Sequence, residues 1–155
     1  MTLEDIRLNL KFLMMHFFRN KCTGLNSEMK ALVTGGTGFI GSHLAQKLIA
    51  EGWEVYLLIR PFRHRPEDLP LKAVPVEGEL LNESSLRSAV ENVDCVFHVG
   101  GLTYAPTREK YFEVNSIGTQ NLVNACRSRS KRIKHFVHIS SLAVMGPNPS
   151  EIPWK

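Results

Sequence analysis

A chain of 155 residues, 43% of them hydrophobic, has room for one domain with a sizeable core and none for a second full domain. Its longest apolar stretch, Phe12 to Phe18, is broken by His16 and falls far short of the ~20 residues that cross a bilayer, so no transmembrane helix is expected. The formal charge of +4 comes from two short basic clusters rather than one aromatic-interleaved face, so nucleic acid is not an expected partner; Arg127, Arg129, Lys131, Arg132 and Lys134 read as a solvated helix end and loop.

Residues Met1 to Glu28 stand apart from the rest of the chain. Leu8, Leu10, Phe12, Leu13, Met14, Met15, Phe17 and Phe18 are too closely spaced for a clean amphipathic stripe. Two readings stay open: Met29 is the true start, or the segment is a real extension, either a helix packing on a partner or an interfacial membrane segment. Glu4 and Asp5 ahead of the apolar residues, with no small-residue cleavage site behind them, fit neither a secretory nor a mitochondrial signal. The expected compartment is the cytoplasm. The three cysteines, Cys22, Cys95 and Cys126, lack zinc-type spacing, and two of them lie in apolar segments where buried free thiols are expected.

From Met29 onward, short apolar runs alternate with helix-period segments, the pattern of βαβ units around a parallel sheet. The first strand is Lys30 to Thr34. A helix follows from about Gly38 to Glu51, with Ile40, Leu44, Ala45, Leu48 and Ile49 on one face and Gly52 as its stop. Val55 to Ile59 is a continuous apolar run, as in a strand covered on both faces. Pro61, Pro66 and Pro70, with charges between them, predict a loop. Ala73 to Val76 is a short third strand, Asn82 caps a helix carrying Leu86, Ala89 and Val90, and Val93 to Val99 is the fourth strand. A longer helix from about Arg108 to Arg127 carries Val114, Ile117, Gly118, Asn121, Leu122, Ala125 and Cys126 at helical spacing, and a fifth strand runs from His135 to Ser140.

The segment Gly35-Gly36-Thr37-Gly38-Phe39-Ile40-Gly41 follows the first strand and opens the first helix. In that context Gly35 permits a tight turn, Gly38 lets backbone approach a pyrophosphate, and Gly41 lets the helix pack closely on the sheet. The helix N-terminus then offers N–H groups and a positive dipole end to phosphates. The spacing lacks the Lys-Ser/Thr ending of a P-loop, which excludes phosphoryl transfer on that plan.

Thr34 to Gly41 resembles the T-G-G-T-G-F-I-G fingerprint of the extended short-chain dehydrogenase/reductases, the NAD-dependent epimerase/dehydratases. Gly78-Glu79-Leu80 resembles that family's Gly-Asp-Leu, whose acid and next residue lie beside the adenine, with glutamate as a departure. Phe97-His98-Val99-Gly100-Gly101 resembles the segment after the fourth strand, where small residues, here Val99, Gly100 and Gly101, line the cofactor ribose. Val114 to Leu122 resembles the N-x-x-G-T-x-N-L helix, which sets Asn115 among the cofactor-side residues, and Phe136 to Gly146 resembles the fifth strand and serine turn. The resemblance covers residues 29 to 155. It implies a Rossmann-type doubly wound parallel α/β sheet, incomplete after about its fifth strand and preceded by an extension over residues 1 to 28. It also implies cofactor contacts by Gly35, Thr37, Gly38, Phe39, Ile40 and Gly41. In the full-length protein it implies a small-molecule substrate, and it leaves a homodimer open.

At the end of the second strand an acid would accept hydrogen bonds from the ribose of NAD, whereas Arg accommodates the 2'-phosphate of NADP. Arg60 stands there, with Arg63 and Arg65 close behind and no acid before Glu67, which favours NADP and leaves NAD open.

The resemblance implies proton handling by a serine, a tyrosine and a lysine. Ser141 matches the serine that would hydrogen-bond the substrate oxygen, ahead of Ser140. Tyrosines occur only at positions 56, 104 and 111, and none is followed four residues later by lysine, so the Tyr-x-x-x-Lys pair is absent from this polypeptide. Met145 also replaces a tyrosine often found in the serine turn. The chain, ending in Gly146 to Lys155 like the start of a substrate-side loop, reads as a fragment of a longer gene product that binds cofactor without turnover. His43, His98 and the pair His135 and His138 fall on different elements without ligand spacing, and His135 and His138, an odd step apart on one strand, point to opposite faces, so no metal site is expected. The expected function is the NAD(P)-binding portion of an oxidoreductase, epimerase or dehydratase acting by hydride transfer on a carbonyl, hydroxyl or nucleotide-sugar substrate. The alternative is a non-catalytic NAD(P)-sensing or regulatory module on the same fold.

Overall fold

Alternating strands and helices build the computed structural model, which describes residues 29–61, 69, 72–129 and 131–141. The expectations for Met1 to Glu28, for Arg63, Arg65 and Glu67, and for the residues after Ser141 lie outside the described residues. In chain order the elements are β1 (Lys30–Thr34), α1 (Phe39–Ala50), β2 (Glu54–Ile59), β3 (Val74–Glu77), α2 (Glu83–Ala89), β4 (Cys95–His98), α3 (Arg108–Phe112), a π-helical turn (Glu113–Ile117), α4 (Gly118–Ser128) and β5 (His135–His138). Among the described residues the four strand pairings are all parallel and the sheet order is β3-β2-β1-β4-β5. This is the doubly wound arrangement that the alternation predicts.

Strand parity divides the core between the two faces. Ala31, Val33, Val55, Leu57, Cys95 and Phe97 point to one face, where Leu44, Ala45 and Leu48 of α1 and Trp53 cover them. Leu32 and Val96 point to the other and meet Leu86, Ala89 and Val90 beside Leu122, Ala125 and Cys126 of α4. Each fully buried leucine or phenylalanine contributes about 1.5–3 kcal/mol relative to exposure. β3 is an edge strand, which accommodates Pro75, a residue with no N–H for a second neighbour.

Local signals set most boundaries. Gly52, at φ +82°, follows α1 and donates its N–H to Ile49 O. Asn82 accepts from Ser85 N at 3.1 Å, capping α2 as expected. The single helix expected from Arg108 to Arg127 is instead α3 and α4 joined through the π-helical turn, with Thr107 capping its start by accepting from Lys110 N at 3.2 Å. The basic residues before β5 are also more engaged than a solvated loop. Arg129 pairs with Glu91 at 3.2 Å, Lys134 with Asp94 at 3.3 Å, and Arg132 donates to Asn92 O at 3.3 Å. These contacts join the loop ahead of β5 to the turn ahead of β4, at the end of the sheet opposite the glycine turn. Among the described residues, no helix is long and apolar enough to cross a membrane.

Candidate functional site: a dinucleotide cradle at the carboxyl ends of the strands

β1 ends at Thr34, and Gly35 turns the chain with φ +68°, a conformation that a side chain resists. A Cβ on Gly35 would stand 2.7 Å from Gly100 Cα, so the ends of β1 and β4 meet there. Gly41, buried in the first turn of α1, has no room either, because its Cβ would lie 2.1 Å from Gly35 O. Gly38 differs. Among the described residues the only atom within 4 Å of an added Cβ is Gly35 O, at 3.3 Å. Gly38 is also the N-cap of α1, where no side chain caps the helix and no acid occupies the first turn. The first-turn N–H groups, those of Phe39, Ile40 and Gly41 among them, therefore lie at the positive end of the dipole. Thr37, Gly38 and Phe39 are exposed around it. A turn of backbone donors with an exposed glycine at the helix start fits a pyrophosphate.

Beneath the cradle lies a buried polar chain. Gly100 N–H donates to Thr34 Oγ1 at 3.0 Å, and Thr34 Oγ1 lies 2.6 Å from His98 Nδ1. His98 Nε2 lies 2.9 Å from Thr119 Oγ1, which donates to Asn115 O at 2.7 Å. Since the Thr119 proton goes to Asn115 O, His98 Nε2 must carry a proton; the Thr34 hydroxyl then donates to a bare Nδ1. Only the neutral Nε2–H tautomer satisfies the whole chain. Burial, and secondarily His138, pulls the His98 pKa down to about 4, in keeping with that tautomer. The His98 ring stacks on His138 of β5 with centroids 5.1 Å apart.

The helix motif is equally explicit. Asn115, inside the π-helical turn, accepts from Leu102 N at 2.7 Å and donates to Leu102 O at 2.8 Å, clamping the loop after β4. A Cβ on Gly118 would stand 2.8 Å from Leu80 Cβ, and Asn121 Nδ2 donates to Leu80 O at 3.1 Å. Asn115 thus engages loop backbone, while Gly118 and Asn121 hold the turn carrying Glu79 and Leu80 against α4. Glu79 is exposed and its N–H donates to Ser85 Oγ at 3.1 Å.

The remaining candidates share the same end of the sheet. Arg60 is exposed directly after β2, Val99 to Gly101 follow β4, and Ser141 is exposed three residues past β5. Sequence reasoning did not single out Thr34, His98, Thr119 or Asn121 for their contacts. The i,i+4 spacing of Asn115 and Thr119 was a signal for one link of the chain; the pairing of Thr34 with His98 spans 64 positions and left none. Among the described residues no group of three or more His, Cys, Asp or Glu is placed to hold a metal.

A parallel doubly wound sheet whose order reverses between β1 and β4, with a glycine cradle at that crevice, defines a Rossmann-type nucleotide-binding domain. The chain matches the NAD dependent epimerase/dehydratase family over residues 31–155 and belongs to that family. It is 34% identical to a UDP-glucose 4-epimerase of Klebsiella pneumoniae over 140 residues, covering 81% of this chain and 98% of that one. It is 35% identical to a 3-beta-hydroxysteroid dehydrogenase of Mycolicibacterium neoaurum over 126 residues, 75% of this chain and 33% of that protein. A ketoreductase of Stigmatella aurantiaca acting on a farnesyl dihydroquinoline oxide is 33% identical over 76% of this chain and 35% of its own length. The chain thus spans about a third of the length of these last two relatives. Among solved structures, UDP-glucose 4-epimerase from Brucella ovis in complex with NAD is 30% identical with a TM-score of 0.69, over 81% of this chain and 39% of that one. The Thermus thermophilus UDP-glucose 4-epimerase complex with NAD is 31% identical with a TM-score of 0.58, over 66% and 35%.

Proposed function

We propose that this chain is the NAD(P)-binding portion of an oxidoreductase, epimerase or dehydratase that moves hydride between a nicotinamide and a carbonyl or hydroxyl carbon of a small substrate. The observation that carries the reading is the contrast inside one turn: Gly35 and Gly41 are crowded by their own chain, while Gly38 is exposed, with Gly35 O the single described atom near an added Cβ, beside the start of α1 that no side chain caps. Relatives named as epimerase, dehydrogenase and ketoreductase, and related structures that hold NAD, support a nicotinamide dinucleotide as the ligand.

In this reading the Gly35 to Gly41 turn takes the pyrophosphate, Glu79 and Leu80 lie at the adenine, and Val99, Gly100 and Gly101 line the ribose. Arg60 meets the 2'-phosphate of NADP, and Ser141 orients the substrate oxygen. The bound cofactor supplies the hydride chemistry. Asn115 acts on this site through the Leu102 loop that it clamps.

Calorimetric titration of the chain with NADP+ and NAD+ tests the proposal. The unaltered chain binds and Gly38→Val does not, because the valine side chain enters the space the pyrophosphate needs. Unchanged affinity in Gly38→Val would remove the assignment.

A further inference from the structure

The buried chain from Gly100 to Asn115 is joined in the middle by the His98 ring. We infer that His98 is a positioning residue for the dinucleotide site, acting through the Thr34 hydroxyl to hold the Gly100 end of β4 against the glycine turn. The inference rests on the proposed dinucleotide binding.

His98 is 1% exposed and reaches no ligand, so any effect on the site passes through its partners. Thr34 immediately precedes Gly35, and Gly100 lies where a Gly35 Cβ would be. The spacing of these two backbones is the width of the crevice between the ends of β1 and β4. Thr34 Oγ1 turns a lone pair toward Gly100 N–H because its own proton is held by His98 Nδ1 at 2.6 Å. With no acceptor there, the hydroxyl is free to rotate and to offer Gly100 a proton instead of a lone pair, setting donor against donor. The second arm, from Nε2 through Thr119 to Asn115 O, fixes the helix but reaches the crevice only through Asn115 and its loop. An apolar residue would fill the same space beside the rings of Phe136 and His138 without the desolvation cost of an imidazole. What it would lack is the polar link.

The two arms separate by substitution. In His98→Asn the side-chain oxygen lies near the place of Nδ1 and accepts from Thr34. In His98→Gln the amide nitrogen lies near the place of Nε2 and donates to Thr119, and His98→Leu keeps neither. Calorimetry with NADP+ and with NAD+ is the readout, beside denaturation of each variant. His98→Asn binds like the unaltered chain, whereas His98→Gln and His98→Leu bind about ten-fold more weakly. Exchange of the Gly100 amide with solvent speeds up in the latter two alone. A merely structural role ranks affinity with stability and does not set Asn apart from Gln. Equal affinity for the Asn and Gln variants, or full affinity in His98→Leu, overturns the inference.

Should the His98 variants not fold, Thr34→Ser keeps the hydroxyl and binds normally, and Thr34→Val weakens binding about ten-fold; equal affinities overturn the inference there as well. Full binding by His98→Leu in a chain whose binding Gly38→Val abolishes removes this inference and leaves the proposed function standing. No binding by the unaltered chain removes both.

Discussion

Gly38, Arg60 and His98 are single residues whose chemistry differs from that of their immediate neighbours. Arg60 follows β2 at the end of the sheet shared with the glycine turn and is exposed, so that in the proposed site its planar fork would take a phosphate bidentately. Charge-assisted hydrogen bonds of this kind contribute about 1.5–3 kcal/mol. Arg60→Ala is expected to weaken NADP+ by at least ten-fold and to leave NAD+ within two- or three-fold, read by calorimetry; equal losses would assign the arginine to the surface alone. His98 makes a second prediction, in pH. Its pKa is about 4 in the fold against 6.5 for a free imidazole, so as the pH falls the unfolded chain takes up the proton first. The stability due to the neutral ring is therefore fully present above about pH 6.5 and is lost as the pH falls toward 4. At 1.36 kcal/mol per pH unit, the loss from this group between pH 7 and pH 5 is about 2 kcal/mol. Urea denaturation at the two pH values measures it, and the increment from this group disappears in His98→Asn.

At the scale of elements, the π-helical turn and α4 do what a plain amphipathic helix does not. The extra residue per turn at Glu113–Ile117 sets Asn115 on the loop after β4. One turn later Gly118 and Asn121 meet Leu80, and Leu122 enters the core. Gly118→Ala forces a methyl to 2.8 Å from Leu80 Cβ, a contact that neither backbone can relieve without moving. It is expected to destabilise the chain by about 1–3 kcal/mol as overpacking does. Asn121→Ala, which loses one half-buried hydrogen bond, costs about 0.5–1.5 kcal/mol. Denaturation midpoints give both values, and a neutral Gly118→Ala would show that the Leu80 turn is not held by close approach.

For the whole molecule, the sheet separates two cores and gathers the site at one end. Cys95 is sealed under α1 on one face, and burial, helped by Asp94, pushes its thiol up to about 12. Cys126 packs on the other face at the wall of a surface pocket that it lines with Val123 and Phe136, and burial pushes its thiol up to about 11. Neither forms a thiolate near neutrality, so neither reacts readily with a thiol reagent. Peptide mapping after brief treatment with a thiol reagent at pH 8 is expected to find both unlabelled in the folded chain and labelled in denaturant. Labelling of either in the folded chain would mean that its face opens on the timescale of the reaction.

Hydrophobic period and turn chemistry determined the element order, the parallel sheet and the glycine cradle from the sequence alone. Ala31, Leu32 and Val33 form a short apolar run, Leu44, Ala45 and Leu48 form a helix stripe, Gly52 stops that helix, and Asn82 caps the next; each of these acts within a few residues of itself. The family fingerprint followed from the same short-range spacing, with φ > 0 at Gly35 and close approach at Gly41 as its physical content. Short-range pattern does not reach across the sheet. The join of β1 to β4, the neutral tautomer of His98 between Thr34 and Thr119, the π-helical turn that sets Asn115 on Leu102, and the pairing of Arg129 and Lys134 with Glu91 and Asp94 were decided by the tertiary structure. These contacts bring together groups as far apart as 64 positions, and a hydrogen bond depends on where two atoms come to rest in space rather than on their spacing along the chain.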